Sequence, residues 1–182
     1  MTEQLYYQDS YIKDFEAVVL SCIPNGNHFE AVLDRTAFFP EGGGQCADTG
    51  VLHIENREIQ VFDVQERNGE IIHFIDKEIL PGQTVIGELD FQERFSKMQQ
   101  HTGEHIISGI VHRRFGYENV GFHLGKEEVT MDYDGPLTPE ELRSIEYEAN
   151  QVVAENREIR AYFPGTEELE KIPYRSKKEL QG

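Results

Sequence analysis

The chain has no tryptophan and only two cysteines, Cys22 and Cys46, among its 182 residues. Two cysteines without C-x-x-C spacing cannot build a disulfide framework, so they favour a reducing compartment. The sequence also lacks an apolar run near the ~20 residues that span a bilayer, and its first residues are neither basic nor apolar. These absences predict a cytoplasmic protein without a membrane segment.

Basic residues are scarce as well, since 17 Lys and Arg stand against 34 Asp and Glu and give a formal net charge of −17. Such an acidic chain argues against broad nucleic-acid binding, which usually depends on clustered cations. The cations concentrate in residues 91–182, which carry 12 of them, against 5 in residues 1–90. A solvated face is the simpler interpretation of these cations. The candidates for phosphate contact are Arg113, Arg114, Arg175, Lys177 and Lys178.

The first half of the chain has the pattern of short β-strands. Two apolar runs, 17–23 and 28–33, flank Pro24-Asn25-Gly26-Asn27, which predicts a β-hairpin. Many short strands at close spacing predict a small β-barrel over residues 1–90. The other expected strands, each bounded by Gly, Asn, Asp or Pro, lie at 51–54, 58–64, 69–75 and 84–89.

The second half changes to a helical period. Apolar residues recur at helical intervals from Arg94 to Phe115, which predicts one long amphipathic helix. Strands are expected at 128–133 and 158–163, followed by a short helix at 166–169. These elements predict an α+β domain over residues 91–182, so the whole chain is expected to be an α+β protein with its barrel first.

A further helix is marked by its own start signals. Thr138 is the expected N-cap, Pro139 the first helical residue, and Glu141 completes a capping box. The expected buried stripe of this helix consists of Leu142, Ile145, Ala149, Val152 and Val153.

The sharpest local signal is His101-Thr102-Gly103-Glu104-His105, inside the long predicted helix. Histidines at i and i+4 project from one face of a helix and can share a metal ion, and zinc suits paired imidazoles. Such pairs also occur by chance on exposed helices. Here Met98 and Ser108, one turn to either side, favour a face that points inward. His101 and His105 are therefore candidate metal ligands.

A second signal is Glu41-Gly42-Gly43-Gly44-Gln45, between two predicted strands. Three consecutive glycines let the backbone approach a ligand or another domain closely and can expose several N–H groups. The simpler interpretation is a hairpin turn or a barrel corner. No G-K-[ST] follows, which excludes a Walker phosphate loop. Gln45 has the chemistry to reach a substrate amide or hydroxyl from this loop.

Together and in this order, the two signals resemble a known family. The stretch TAFFPEGGGQCADTG (36–50) is similar to the glycine-rich motif of alanyl-tRNA synthetase editing regions, and QQHTGEHIISG (99–109) to their first zinc motif. The resemblance continues through GFHLGKEEVTMDYD (121–134) and KIPYRSKKELQG (171–182), so it covers nearly the whole chain. It is close to the free-standing AlaX-type editing proteins that carry the glycine-rich domain ahead of the editing domain.

The resemblance implies zinc-dependent hydrolysis of the ester that joins a wrongly attached serine or glycine to the 3′ end of alanine tRNA. It assigns the zinc ion to His101 and His105. It places Thr102 against the substrate side chain, where a hydroxyl partner favours serine over alanine. Gln45 and Thr102 are then the expected catalytic residues. The expected substrate-binding residues are Gly42, Gly43, Gly44, Gln45 and Thr102.

The sequence departs from the family pattern at its end. The remaining zinc ligands of the family lie in a C-x-x-x-H motif beyond the KKELQG segment, and this sequence stops at Gly182. The zinc site is therefore expected to be incomplete unless Cys46, His123, water or a neighbouring chain completes the usual four ligands. Weak zinc binding and slow editing are the expected consequences.

Two other interpretations stay open. HTGEH also satisfies H-x-x-E-H, the inverted zinc-peptidase pattern, with Glu104 as general base and Glu146 or Glu148 as a third ligand on a later helix. The missing ligands and the acidic charge instead favour a non-catalytic relic that binds RNA or a partner. An aminoacylating enzyme is disfavoured, because the 182 residues leave no room for a nucleotide-binding synthetase domain.

Overall fold

The computed structural model describes residues 2–125 and 128–173 of the chain. Its strands in chain order are β1 (Glu3–Gln4), β2 (Asp14–Asn25), β3 (His28–Leu33), β4 (Arg35–Thr36), β5 (Gly50–Ile54), β6 (Arg57–Arg67), β7 (Glu70–Ile75), β8 (Thr84–Leu89), β9 (Asn119–Leu124) and β10 (Val129–Tyr133). Its helices are α1 (Phe91–Phe115), α2 (Pro139–Ala154) and α3 (Thr166–Leu169), with a short 3-10 helix at Leu5–Tyr7.

Six strands close into an antiparallel barrel with the order β2-β3-β7-β6-β5-β8. Buried and exposed residues alternate along β8 and along the first half of β2, and the buried set fills the barrel interior. The barrel and the mixed α+β class agree with the sequence prediction, whereas the division into two domains near residue 90 stays a prediction. The centre of the barrel core, at most 1% exposed, includes Val19, Leu33, Leu52, Ile59 and Ile75.

Helix α1 follows the last barrel strand directly and confirms the long helix predicted from the apolar spacing. Asp90 caps its start, because the Asp90 carboxylate accepts a hydrogen bond of 3.1 Å from the backbone N–H of Glu93. Gly116 ends the helix with a left-handed φ of 72°.

Two buried cations attach the first turns of α1 to the barrel. The guanidinium of Arg94 contacts the carboxylate of Asp48 and donates a 2.6 Å hydrogen bond to the Ala37 carbonyl. One turn later, Lys97 Nζ donates to the Ala47 carbonyl at 2.6 Å. The helix is thereby held against the loop that precedes β5.

Helices α1 and α2 pack together through a second, smaller core that contains Ile110, Val111 and Ile145. The predicted start of α2 is confirmed. The backbone N–H of Glu141 donates to Thr138 Oγ1, and the Glu141 carboxylate accepts a 2.7 Å hydrogen bond from the Thr138 N–H. Both halves of the capping box are therefore present.

The expected buried stripe of α2 is only partly correct. Ile145 is buried and Ala149 packs on the second core, whereas Leu142 and Val153 are 51% and 63% exposed. Within the described chain α2 packs mainly against α1, which covers one side of α2 and leaves these two residues uncovered.

The remaining strands of the second half differ from the prediction. β10 was expected, but its partner β9 was missed, although apolar residues occupy every second position from Val120 to Leu124, as in a strand. The strand expected at 158–163 is wrong. That segment has no neighbouring strand among the described residues, and a β-forming run without a partner gains no hydrogen-bond ladder.

Helix α3 matches the short helix that the sequence predicts. None of the helices in the described ranges combines the length and the apolar character needed to cross a membrane.

Candidate metal centre

The two histidines of α1 lie on one helical face, as their spacing predicts. Their rings stack with centroids 5.2 Å apart and planes inclined by 12°. His101 is half-buried, whereas the His105 side chain is 71% exposed. The two imidazoles therefore converge at the surface of the helix, where one ion can reach both.

The buried carboxylate of Glu104 adjoins this pair. Its Oε1 accepts hydrogen bonds from Ser108 Oγ at 2.5 Å and from Asn119 Nδ2 at 2.7 Å, and its Oε2 lies 3.3 Å from His105 Nδ1. His101, Glu104 and His105 each offer one ligand atom, and these three atoms lie within 4.8 Å of one another. Two imidazoles and a carboxylate are donors that zinc accepts, so the residues present fit three of its usual four ligands.

The glycine loop is a tight two-residue turn. The Gly42 N–H donates to the Gln45 carbonyl and the Gln45 N–H donates to the Gly42 carbonyl, each at 3.0 Å. Gly43 and Gly44 occupy the centre of the turn with positive φ angles of 61° and 85°. A Cβ at Gly44 would also lie 2.4 Å from the carbonyl oxygen of Phe122, so this glycine permits a close backbone approach.

This turn brings Gln45 to the histidine helix. Gln45 is 7% exposed, and its Oε1 lies 2.9 Å from His101 Nδ1. Strand β9 supports the turn from the other side, because the Leu124 N–H donates to the Gly44 carbonyl at 2.9 Å. The ring centroid of Phe122 lies 5.1 Å from that of His101. The glycine loop and the histidine helix therefore face each other.

The surroundings of His101 favour its neutral form. Burial lowers the pKa of His101 below its usual range, the neighbouring His105 lowers it further, and only the carboxylate of Glu104 opposes this effect. A neutral imidazole keeps the lone pair that a metal ion needs.

Other expected ligands lie elsewhere. The Sγ of Cys46 donates to the Leu124 carbonyl at 3.4 Å, and His123 is exposed. Because side chains alternate along a strand and Phe122 contacts His101, the next residue points away from the histidines. Neither Cys46 nor His123 therefore completes the site within the described residues, where only Glu104 joins the two histidines.

The acidic ligand expected for a zinc peptidase is also absent from the group. Glu148 pairs with Arg113 and lies 3.8 Å from Arg114, and Glu146 is exposed. Neither carboxylate belongs to the metal-ligand group found in residues 2–125 and 128–173. The same ion pairs occupy Arg113 and Arg114, which were candidates for phosphate contact. The other candidates, Arg175, Lys177 and Lys178, lie outside the described residues.

Thr102 is half-buried on α1, one residue after His101. One residue corresponds to about 100° around an α-helix, so Thr102 does not share the face of the histidine pair. Within the described residues, no side-chain hydrogen bond joins Thr102 to His101, His105 or Gln45. Its contact with a substrate stays a prediction.

A cleft of about 640 Å³, not predicted from the sequence, is lined by Cys46 and Gln100, the sequence neighbours of Gln45 and His101, but its wall includes none of the three residues of the metal-ligand group. This volume is in the range of small-molecule sites. The α1 residues of its wall recur every three or four positions, and His101 lies one turn after Lys97. This recurrence of polar residues along α1 is the only local sequence signal of the cleft. Its lining includes Glu93, Ser96, Lys97, Gln100, Cys46 and Glu128.

The chain is similar to alanyl-tRNA editing proteins and to alanine–tRNA ligases. The profile of the family described as tRNA synthetases class II (A) matches residues 3–93, half of the chain. The alanyl-tRNA editing protein AlaX-M of Saccharolobus solfataricus is 38% identical over 177 residues, which cover 95% of this chain and 73% of that protein. AlaX-L of Pyrococcus horikoshii is 33% identical over 179 residues, which cover 95% of this chain and 42% of that protein.

Longer proteins match as well. The alanine–tRNA ligase of Ignicoccus hospitalis is 38% identical over 165 residues, which cover 88% of this chain. The same alignment covers only 18% of the ligase. The chain therefore spans less than a fifth of the length of that relative.

Proposed function

Because this chain belongs to the alanyl-tRNA editing family, we propose that it hydrolyses wrongly charged alanine tRNA. Water cleaves the ester between serine or glycine and the 3′-terminal ribose, and the products are the free amino acid and the uncharged tRNA. A zinc ion held by His101 and His105 is the proposed cofactor. The two relatives named as alanyl-tRNA editing proteins support this substrate class.

The observation that carries the proposal is the contact between Gln45 and His101, which are 56 positions apart in the sequence. The glycine motif and the histidine motif each have an ordinary structural explanation when taken alone. Their contact gives both motifs one location, and the residues next to them in the sequence, Cys46 and Gln100, line a cleft of about 640 Å³.

The chain's own residues orient the ligands and line the substrate cleft. When bound, zinc supplies a Lewis acid for the hydrolysis of the ester. Gln45 contacts His101, and the buried Glu104 lies beside His105. Glu128 lines the cleft, where a carboxylate suits the α-ammonium group of an aminoacyl ester, whereas Glu93 in the same wall is paired with Lys97 at 2.9 Å.

The peptidase interpretation is weaker than the editing proposal. A general base must reach the attacking water. Glu104 would be that base in the H-x-x-E-H pattern, but the third acidic ligand that the pattern needs is missing, because neither Glu146 nor Glu148 joins the ligand group of the described residues. The relic interpretation draws support from the net charge of −17 and from the paired state of Arg113 and Arg114.

The test is the release of serine and glycine from charged alanine tRNA, measured together with the zinc content of the protein. We expect His101→Ala and His105→Ala to lose zinc and to slow hydrolysis by about 10²-fold or more. His123→Ala is the matched control, because that histidine is exposed on β9 outside the ligand group, and its rate should equal the wild-type rate.

The outcomes separate the interpretations. Hydrolysis that is unaffected in His101→Ala and His105→Ala would contradict the metal assignment. Binding of alanine tRNA without any hydrolysis would favour the relic. A Thr102→Val variant tests the selectivity role, since loss of the hydroxyl should reduce the preference for the serine ester over the alanine ester.

A further inference from the structure

Gln45 is buried and its amide is used inside the protein. The side chain is 7% exposed, and its Oε1 lies at hydrogen-bond distance, 2.9 Å, from Nδ1 of His101. An amide oxygen only accepts hydrogen bonds. If this oxygen is the partner, Nδ1 of His101 carries the proton and donates it.

That assignment determines which histidine nitrogen is available to a ligand. A neutral imidazole has one N–H and one lone pair, on different nitrogens. With the proton on Nδ1, the lone pair lies on Nε2, which is then free to bind an ion. With the proton on Nε2, the same atom cannot bind an ion at all.

We propose that Gln45 is a positioning residue, whose amide oxygen holds His101 in the tautomer with Nδ1 protonated and Nε2 free for a metal ion. The metal part of this inference rests on the proposed function. Gln45 then acts through His101, whereas its expected contact with the substrate stays a prediction. Its amide oxygen takes the place that carboxylates and carbonyls take beside many metal-bound histidines.

The fold gives Gln45 little freedom to leave this position. Its backbone N–H and C=O both bond to Gly42 across the turn, and the preceding Gly44 carbonyl accepts from Leu124 of β9. The close approach of Gly44 to the Phe122 carbonyl holds the turn against that strand. The three glycines therefore serve to place one amide oxygen beside the histidine helix.

The opposite amide orientation makes an opposite prediction. If Gln45 presented its NH2 group to Nδ1, that nitrogen would accept and the proton would lie on Nε2. The two arrangements differ in the protonation of a single ring. ¹⁵N NMR of the histidine rings distinguishes them in the metal-free protein, at mildly alkaline pH where the imidazole is neutral.

The wild-type spectrum decides first. We expect the His101 ring, assigned by comparison with His101→Asn, to show protonated Nδ1 and unprotonated Nε2. Protonation on Nε2 in the wild-type chain would overturn the proposal even if zinc binding and tRNA hydrolysis were both observed. This measurement needs no metal and no substrate, so it fails or succeeds independently of the proposed function.

Variants of Gln45 provide the second measurement, zinc affinity by competition with a chelator. Gln45→Leu removes the hydrogen-bond acceptor of His101. It should weaken zinc binding by about 10–100-fold, and the His101 ring should no longer be held with its proton on Nδ1. Gln45→Glu keeps an oxygen acceptor and should restore both the zinc affinity and the protonation of His101 on Nδ1. Gln99→Leu, an exposed position on α1, is the control and should match the wild type. Equal zinc affinity and an unchanged tautomer in Gln45→Leu would overturn the proposal.

Discussion

Arg94 ties α1 to the barrel, and its replacement by methionine tests that role. The Arg94 and Asp48 side chains are 3% and 2% exposed. The guanidinium contacts the Asp48 carboxylate and donates to the carbonyls of Ala37 at 2.6 Å and Ser10 at 3.1 Å. In Arg94→Met, Asp48 stays buried with only the Phe39 N–H as a donor among the described contacts.

The cost follows from what the substitution leaves behind. Breaking a buried ion pair by removing one partner costs about 3–5 kcal/mol, because the other charge stays buried without compensation. The fully buried Ala37 carbonyl loses this donor, which adds about 1 kcal/mol. Ser10 is exposed, so its carbonyl can bind water. The expected loss of about 4–6 kcal/mol is a large share of the ~5–15 kcal/mol that typically stabilises a protein.

The measurement is urea unfolding followed by circular dichroism, since the chain has no tryptophan to report by fluorescence. Asp48→Asn in the Arg94→Met background removes the unpaired charge and keeps an oxygen for the Phe39 N–H. The double variant should therefore recover stability, with a coupling energy of about 2 kcal/mol in the double-mutant cycle. A loss below about 1 kcal/mol in Arg94→Met, or additive losses in the cycle, would refute the reasoning.

Four further predictions concern stability. Gly44→Ala should cost roughly 2–4 kcal/mol in urea unfolding, because its φ of 85° is left-handed and its Cβ meets the Phe122 carbonyl. Gly43→Ala, with open space around it, should cost about 1–2 kcal/mol. Burial lowers the pKa of His73 to about 4, so stability should be full above about pH 6.5 and fall by roughly 3 kcal/mol toward pH 4. In His73→Gln, the free energy of unfolding should no longer fall in this way between pH 6.5 and pH 4. Thr138→Ala should cost about 1 kcal/mol through loss of the capping box, by the same measurement.

The features that the sequence predicted well depend on neighbouring residues. The capping box needs only Thr138 and Glu141, three positions apart, and it formed as expected. The barrel strands are marked by alternating apolar residues and by turn residues at their ends, such as Gly26 between the first two barrel strands. Such signals survive in a single sequence because the interaction itself is local.

The features that it predicted poorly depend on what packs against a segment. Leu142 and Val153 fit the helical stripe of α2, but the described chain covers only the side of Ile145. The run at 158–163 has β-forming residues but no partner strand among the described residues. β9 has a partner in spite of its glycine. Periodicity gives the apolar faces of an element, whereas coverage is decided by the rest of the fold.

The candidate site divides in the same way. The motifs brought His101, His105 and Gln45 together as one chemical set, but no pattern shows that Gln45 bonds to a histidine. That contact spans 56 positions and depends on the turn that carries Gln45 and on the attachment of α1 through Arg94. The ion pair of Arg94 with Asp48 lies outside the metal-ligand group. It follows that the double variant Arg94→Met with Asp48→Asn, if folded, should bind zinc more weakly than the wild type although every ligand is still present. Unchanged zinc affinity in that folded variant would show that the barrel and the helix keep their contact at Gln45 without the buried ion pair.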